Sequence, residues 1–186
     1  MKQKQAEINF IVGDATNPHC KRTIIVHCCN NIGGWGSGFV VALSKKWEKP
    51  ERKYRKWFAE RNNPDSFDPY FKLGAVQIVD LPRGISVANI IGQDGVRSAD
   101  NLKPVVYEAI AQGFEAVNDI ARKTGATLTM PRIGCGLAGG EWTEIENLLH
   151  EHVTVPVWVY DLPGQEYKNC LYSEIFEDED DDDYDT

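Results

Sequence analysis

The sequence lacks any apolar run of the roughly eighteen residues that a membrane-crossing helix needs, and its start, Met1-Lys-Gln-Lys-Gln-Ala-Glu7, has no apolar stretch of the secretory-leader kind. No part of it is expected to cross a membrane. Cysteine is scarce, with five residues, an odd number, and no pair at Cys-x-x-Cys spacing. This argues against a disulfide framework or a zinc knuckle and fits free thiols in a reducing, cytoplasmic setting. His27, Cys28 and Cys29 adjoin each other, but consecutive strand residues face opposite ways, so no metal site and no cofactor are expected from them. Basic charge is also in short supply. Nine of the 28 acids lie in residues 174–186, which hold no base, leaving the first 173 residues with 20 bases against 19 acids. A nearly neutral body argues against a nucleic-acid partner. The chain is expected to act as a monomer.

Runs of β-branched and apolar residues do alternate with stretches of helical periodicity, the pattern of an α/β protein with a partly parallel sheet. Strands are expected near 9–12, 23–29, 75–79, 85–91, 127–131 and 155–160. Helices are expected at 38–47, 51–60, 103–124 and 141–152. In the third helix Val106, Ile110, Phe114, Val117 and Ala121 form one stripe, and Gly125 supplies a stop signal. Residues 61–74, with two prolines, read as a loop. At the 186-residue length a single domain over 1–173 is expected, followed by an acidic tail at 174–186 that cannot bury enough apolar surface to order itself. A sharper alternative has the tail imitating nucleic-acid phosphates or docking on a basic partner.

Two segments concentrate glycine between a strand and a helix: Thr23-Ile-Ile-Val-His-Cys-Cys-Asn-Asn-Ile-Gly-Gly-Trp-Gly-Ser-Gly-Phe39 and Thr129-Met-Pro-Arg-Ile-Gly-Cys-Gly-Leu-Ala-Gly-Gly-Glu141. Glycines let the backbone approach a ligand, and a following helix adds unpaired N–H groups and the positive end of its dipole, a combination that suits an anion. In a parallel sheet both loops fall at the carboxyl edge, where they can grip a diphosphate from two sides. Neither loop ends in the Lys-Ser or Lys-Thr of a phosphate-binding P-loop, and the first lacks a clear Gly-x-Gly-x-x-Gly dinucleotide fingerprint. The expected grip is built from main-chain N–H groups without magnesium. Asp14, after the first strand, is either a turn carboxylate or an acceptor for an adenine amino group.

Gly13-Asp14-Ala15-Thr16, the segment Ile24–Phe39, Val87-Ala-Asn-Ile-Ile-Gly-Gln93, Met130–Gly140 and Val157-Trp-Val-Tyr160 together resemble the macro domain family, whose members bind ADP-ribose. The His-Cys-x-Asn and Gly-x-Trp-Gly-x-Gly form of the first loop is similar to the subgroup containing ADP-ribose 1″-phosphate phosphatases, and close to the subgroup that removes ADP-ribose from acidic side chains. The resemblance implies a three-layer α/β/α macro domain with a mixed, largely parallel central sheet, and ADP-ribose or a derivative as ligand. By position it implies that Gly13, Asp14 and Ala15 meet the adenine, with Tyr160 beside it, and that Asn30 orients the distal ribose. Gly34, Trp35, Gly36, Ser37, Gly38 and Phe39 would wrap the distal ribose and a phosphate, while Gly134, Cys135, Gly136, Leu137 and Ala138 would close over the diphosphate.

Departures from the family bear on the chemistry. Ala138 stands where one hydrolase subgroup has an aspartate, and the region of its lysine matches best around Gln93. That lysine-dependent route therefore lacks its residues. His27 and Asn30 are the catalytic candidates, His27 as a general base or acid, with a buried, sheet-bonded histidine as its alternative. Cys135 is either a helix-start nucleophile or a small residue that fits between glycines. Trp35 is a ligand lid or a core plug. The expected activity is hydrolysis at the distal ribose, first of the 1″-phosphate monoester and second of an ADP-ribosyl bond. The alternative is a reader that only binds.

Overall fold

The computed structural model describes residues 5–175. Six strands form one sheet: β1 (Ile8–Val12), β2 (Thr23–Asn30), β3 (Val76–Asp80), β4 (Ile85–Gln93), β5 (Thr127–Met130) and β6 (Val157–Asp161). Their spatial order is β1-β6-β5-β2-β4-β3, parallel throughout except for β3, which runs antiparallel to β4. Four helices cover the sheet: α1 (Phe39–Lys46), α2 (Lys49–Ala59), α3 (Tyr107–Thr124) and α4 (Trp142–His152).

The central strands are apolar on consecutive positions because both faces are covered. In β2, Ile24 and Val26 join the core beneath α3 and α4, while Ile25 and Cys29 join the core beneath α1 and α2. In β4, Ala88 and Ile90 face the first core, and Val87 and Ile91 the second. Helix α3 buries Ile110, Phe114, Val117 and Ala121 completely and ends at Gly125 in the left-handed conformation. Burial of Phe114 alone contributes about 2–3 kcal/mol. The 61–74 loop is pinned by Phe71, packed edge-on to Trp57, and by the bond from Trp57 Nε1 to the Pro69 carbonyl (2.6 Å).

Two helix starts differ by two residues or more from those expected. Helix α3 starts at Tyr107 and not at 103, because Pro104 interrupts the helical ladder and residues 104–106 run back along β4: Asp94 donates to Pro104 O, Val105 bridges Gln93, and Val106 donates to Gly92 O. Helix α2 starts at Lys49, with Pro50 seated in its first turn where its missing N–H costs nothing. The expected acidic tail lies, from residue 176 onward, outside the described residues. Among the described residues no helix is long and apolar enough to cross a membrane, and no cluster of three metal-ligating side chains occurs.

Candidate functional site

Since β1, β6, β5, β2 and β4 all point the same way, their carboxyl ends form one rim, about 19 Å long at the usual interstrand spacing. A cleft of about 720 Å³ runs along that rim. Strand order deals out its lining in sequence. Gly13, Asp14 and Ala15 follow β1, Tyr160 and Leu162 end β6, Pro131–Gly134 and Gly136–Ala138 but not Cys135 follow β5, His27–Asn30 end β2 with Gly34–Phe39 beyond them, and Gln93, Val96 and Arg97 follow β4. Both glycine loops thus stand side by side in the middle, where β5 and β2 are neighbours. A Cβ placed on Gly38 would lie 3.6 Å from Leu137 Cδ1, so the loops nearly touch over the cleft.

The first loop (31–38) is held by side chains. Asn30 Oδ1 accepts from the N–H groups of Ile32 (3.1 Å) and Gly34 (2.9 Å) and from the Tyr54 hydroxyl (3.1 Å), while Asn30 Nδ2 donates to the Gly34 carbonyl (2.8 Å). The Tyr54 hydroxyl also contacts the Asn30 carbonyl at 2.7 Å. Trp35 is buried against Tyr54 and His27, and its Nε1 donates to Ser44 Oγ, which donates in turn to Glu51. Trp35 is therefore a plug that carries the loop, not a mobile cover. Gly38 precedes α1 at φ 77° and ψ −149°, a conformation reserved for glycine, and no side chain caps the helix. The N–H groups of Gly36, Ser37 and Gly38 make no hydrogen bond among the described residues and are free for an anion, together with the N-terminal end of α1.

The second loop (131–140) is held by its own backbone. Ile133 donates to Pro131 O, Gly139 to Gly136 O, Gly140 to Gly134 O, and Val105 donates to Ala138 O. Gly136, Leu137 and Ala138 keep unbonded N–H groups among the described residues. At its root Arg132 forms a bidentate pair with Asp161 at the end of β6 (2.7 and 2.7 Å) and lies over the rings of Phe10, Trp142 and Tyr167. Burial pushes the Asp161 carboxyl up, but the Arg132 guanidinium, the Tyr172 hydroxyl and the Tyr167 N–H outweigh it and hold the group below its ordinary range.

At the β1 end Asp14 is exposed. Its Oδ1 accepts from the Thr16 N–H at 2.8 Å, which leaves the other oxygen open to a donor on a ligand. Tyr160 is held by His19, whose N–H donates to the tyrosine hydroxyl (3.1 Å).

The geometry bears on the alternatives open for two residues. His27 is 1% exposed, with Nε2 on Asn89 Oδ1 at 2.6 Å and its ring against Trp35 and Phe39. Burial drives its pKa down to about 4, against a smaller upward pull from Asn89, so the ring is neutral at ordinary pH and its Nε2 is already engaged. His27 lies in the floor of the cleft beneath the first loop, where burial makes it a weak base and Asn89 holds its Nε2. Cys135 lies in the turn well before Trp142, where α4 begins, and gains no help from a helix N-terminus. Burial pushes its thiol up to about 11, which suits a small packing residue. Asn30 lines the cleft but spends its amide on the loop, so it acts by positioning the main chain around it.

Sequence reasoning missed Tyr54 and assigned no role to Arg132 or Arg97. The first has no local signal, since it meets Asn30 only through the packing of α2. Arg132 lies inside the Met130–Gly140 segment and Arg97 four residues beyond Gln93, and the common rim of parallel strands was the signal that would have drawn attention to the loop after β4.

No family model matches the chain. Among solved structures it is similar to a macrodomain protein from Streptomyces coelicolor, at 45% identity and a TM-score of 0.71, covering 83% of this chain and 99% of that one. A protein of unknown function from Bacteroides thetaiotaomicron is 43% identical with a TM-score of 0.76, covering 84% and 99%. The chain belongs to the macrodomain family. Among curated relatives, an ADP-ribose 1″-phosphate phosphatase of Candida albicans is 26% identical over 161 residues, 82% of this chain and 98% of that protein. Two proteins named chromodomain-helicase-DNA-binding protein 1-like, from Mus musculus and Danio rerio, match at 24% and 27%, but the chain spans only 18% and 14% of their lengths.

Proposed function

We propose that the cleft binds ADP-ribose lengthwise, adenine at the β1 and β6 end and distal ribose at the β2 end, and that the protein hydrolyses ADP-ribose 1″-phosphate to ADP-ribose and phosphate. One observation carries the reading: strand order sets a free carboxylate oxygen, an aromatic edge and two facing rows of unbonded N–H groups in the order in which an adenine, its ribose and a diphosphate occur. Asp14 would accept from the adenine amino group, and the two loops would share the diphosphate oxygens. The wrapped Gly34–Phe39 segment would hold the distal ribose. The phosphatase named among the relatives, matched over nearly its whole length, supports the choice of reaction. In this reading residues 1–173 form the working domain and 174–186 an appended acidic segment.

A second reading, a reader of free or attached ADP-ribose, is favoured by one specific feature: burial leaves His27 a weak base, with its pKa lowered to about 4 and its Nε2 held by Asn89, and pushes the Cys28 thiol up to about 12, so the cleft's middle offers no strong base. Turnover would then rest on oriented N–H groups and a positioned water. Calorimetry with ADP-ribose tests the shared premise, and no heat at high micromolar ligand would refute it. Phosphate release from ADP-ribose 1″-phosphate then separates the two readings, since a reader releases none.

A further inference from the structure

The rim does not stop at the distal-ribose position. Beyond Asn30 it continues to the end of β4, where Gln93, Val96 and Arg97 line the cleft. The loop that carries Arg97 is pinned on both sides. Asn31 Nδ2 donates to Asp94 Oδ1 (2.9 Å), the Gly95 N–H donates to Asn31 Oδ1 (2.8 Å), and Asn101 Nδ2 donates to the Asp94 carbonyl (2.8 Å). Ser98 and Asn101 close the far side by exchanging backbone hydrogen bonds. A loop fixed in this way holds Arg97 at a defined place on the rim.

Charge accounting singles that residue out. The cleft lining contains one carboxylate, Asp14, and two guanidinium groups, Arg97 and Arg132. Asp14 lies at the opposite end of the row, and Arg132 is neutralised by its bidentate pair with Asp161. Arg97 is exposed and enters no ion pair among the described residues. It is thus the uncompensated cation of the described lining, set one strand beyond the loop proposed to hold the distal ribose.

The geometry points to an anion subsite at the β4 end of the cleft, formed by Arg97 with the Gln93 amide, that takes a phosphate dianion carried on C1″ of the distal ribose. This rests on the ADP-ribose reading of the cleft and deepens it. The diphosphate is met by main-chain N–H groups, whereas the terminal phosphate is met by a guanidinium fork, whose donors match two phosphate oxygens at once. Free ADP-ribose, with a neutral hydroxyl at C1″, and an ADP-ribosyl ester, also neutral there, gain nothing from the fork. Arg97 therefore discriminates between the candidate substrates of this cleft in favour of the monophosphate.

The test compares dissociation constants for ADP-ribose and for a non-hydrolysable 1″-phosphonate analogue of ADP-ribose 1″-phosphate, in the full chain, by calorimetry at two salt concentrations. The wild type is expected to bind the phosphonate about tenfold tighter, with the preference shrinking as salt rises. Arg97→Gln should bring the preference below twofold, and Arg97→Lys, which keeps the charge without the fork, should fall between. An unchanged preference in Arg97→Gln, an equal loss of both ligands in that variant, or ADP-ribose binding with no preference in the wild type would overturn the subsite and leave the cleft assignment standing. Failure of the wild type to bind ADP-ribose would instead overturn the cleft assignment itself.

Discussion

The two glycine loops share a sequence pattern and stand next to each other on one rim, yet they are assembled differently. The first hangs on side chains from two other elements: Asn30 from β2 and Tyr54 from α2, with Trp35 anchored through Ser44 to Glu51. The second is a chain of backbone turns among residues 131–140, tied to its surroundings by the Val105–Ala138 bond and by Arg132. Glycine count alone does not say how a loop is held. Where side chains hold it, one distant substitution can release the whole loop. Where the backbone holds it, an added methyl in the wrong place is the more damaging change.

The sharpest way to break this contrast is Asn30→Ala. It strips the acceptor from the Ile32 and Gly34 N–H groups and the Tyr54 hydroxyl, and should cost about 4 kcal/mol in denaturant unfolding and abolish measurable ADP-ribose binding. A loss below 1 kcal/mol would mean that the first loop, too, is held by its backbone.

Acid probes the floor of the first loop. With the folded pKa of His27 lowered from 6.5 to about 4, the unfolded chain takes up a proton in that interval that the folded chain refuses. Stability should therefore fall as pH drops through the window, by about 3 kcal/mol at its lower end. Unfolding curves at pH 7, 5.5 and 4.5 for the wild type and His27→Gln isolate this contribution from that of the carboxylates, and parallel pH profiles in the two proteins would refute it. The proton's cost falls beneath Trp35 and Phe39, so hydrogen exchange at low pH should rise in the first loop before the second.

For the second loop the complementary test is Gly140→Ala. The new Cβ would sit 2.5 Å from the Gly134 carbonyl oxygen, and because that oxygen belongs to the backbone it cannot swing aside. A loss of about 2 kcal/mol is expected, with weakened ligand binding. Tyr54→Phe should give the smallest effect, about 1 kcal/mol, because Asn30 keeps its two N–H donors and the ring stays in place. A larger effect from Tyr54→Phe than from Gly140→Ala would invert the comparison.

Much of this architecture is legible in the residues themselves. Strands covered on both faces announce themselves by apolar residues on consecutive positions such as Ile24–Val26, and the α3 stripe with its terminal Gly125 is the usual helical period. Both glycine loops, and their meeting at one rim, follow from strand–turn–helix order in a parallel sheet. What could not be read was anything set by contacts distant in sequence. The start of α3 slid to Tyr107 because residues 104–106 pair with β4, and nothing in the helical pattern of Val106 and Ile110 reports that pairing. His27 looked like a chemical group because it sits in a motif, yet its chemistry is decided by Asn89, Trp35 and Phe39, which reach it from β4, the first loop and the start of α1. Arg97 was passed over because its loop carries little glycine, although strand order brings it to the same rim.

The stretch after β6 has an effect of its own on the sheet. Tyr172 bridges Phe10 in parallel, and the Ser173 N–H donates to the Phe10 carbonyl at 2.6 Å, so the outer side of β1 already has a neighbour. An uncovered border strand offers its unpaired amides to any passing chain and invites self-association. By pairing part of its own border with a few residues held through Tyr172, Asp161 and Arg132, the chain leaves fewer open amides on β1 for another strand to meet, and the salt-linked knot that roots the second loop holds that pairing in place.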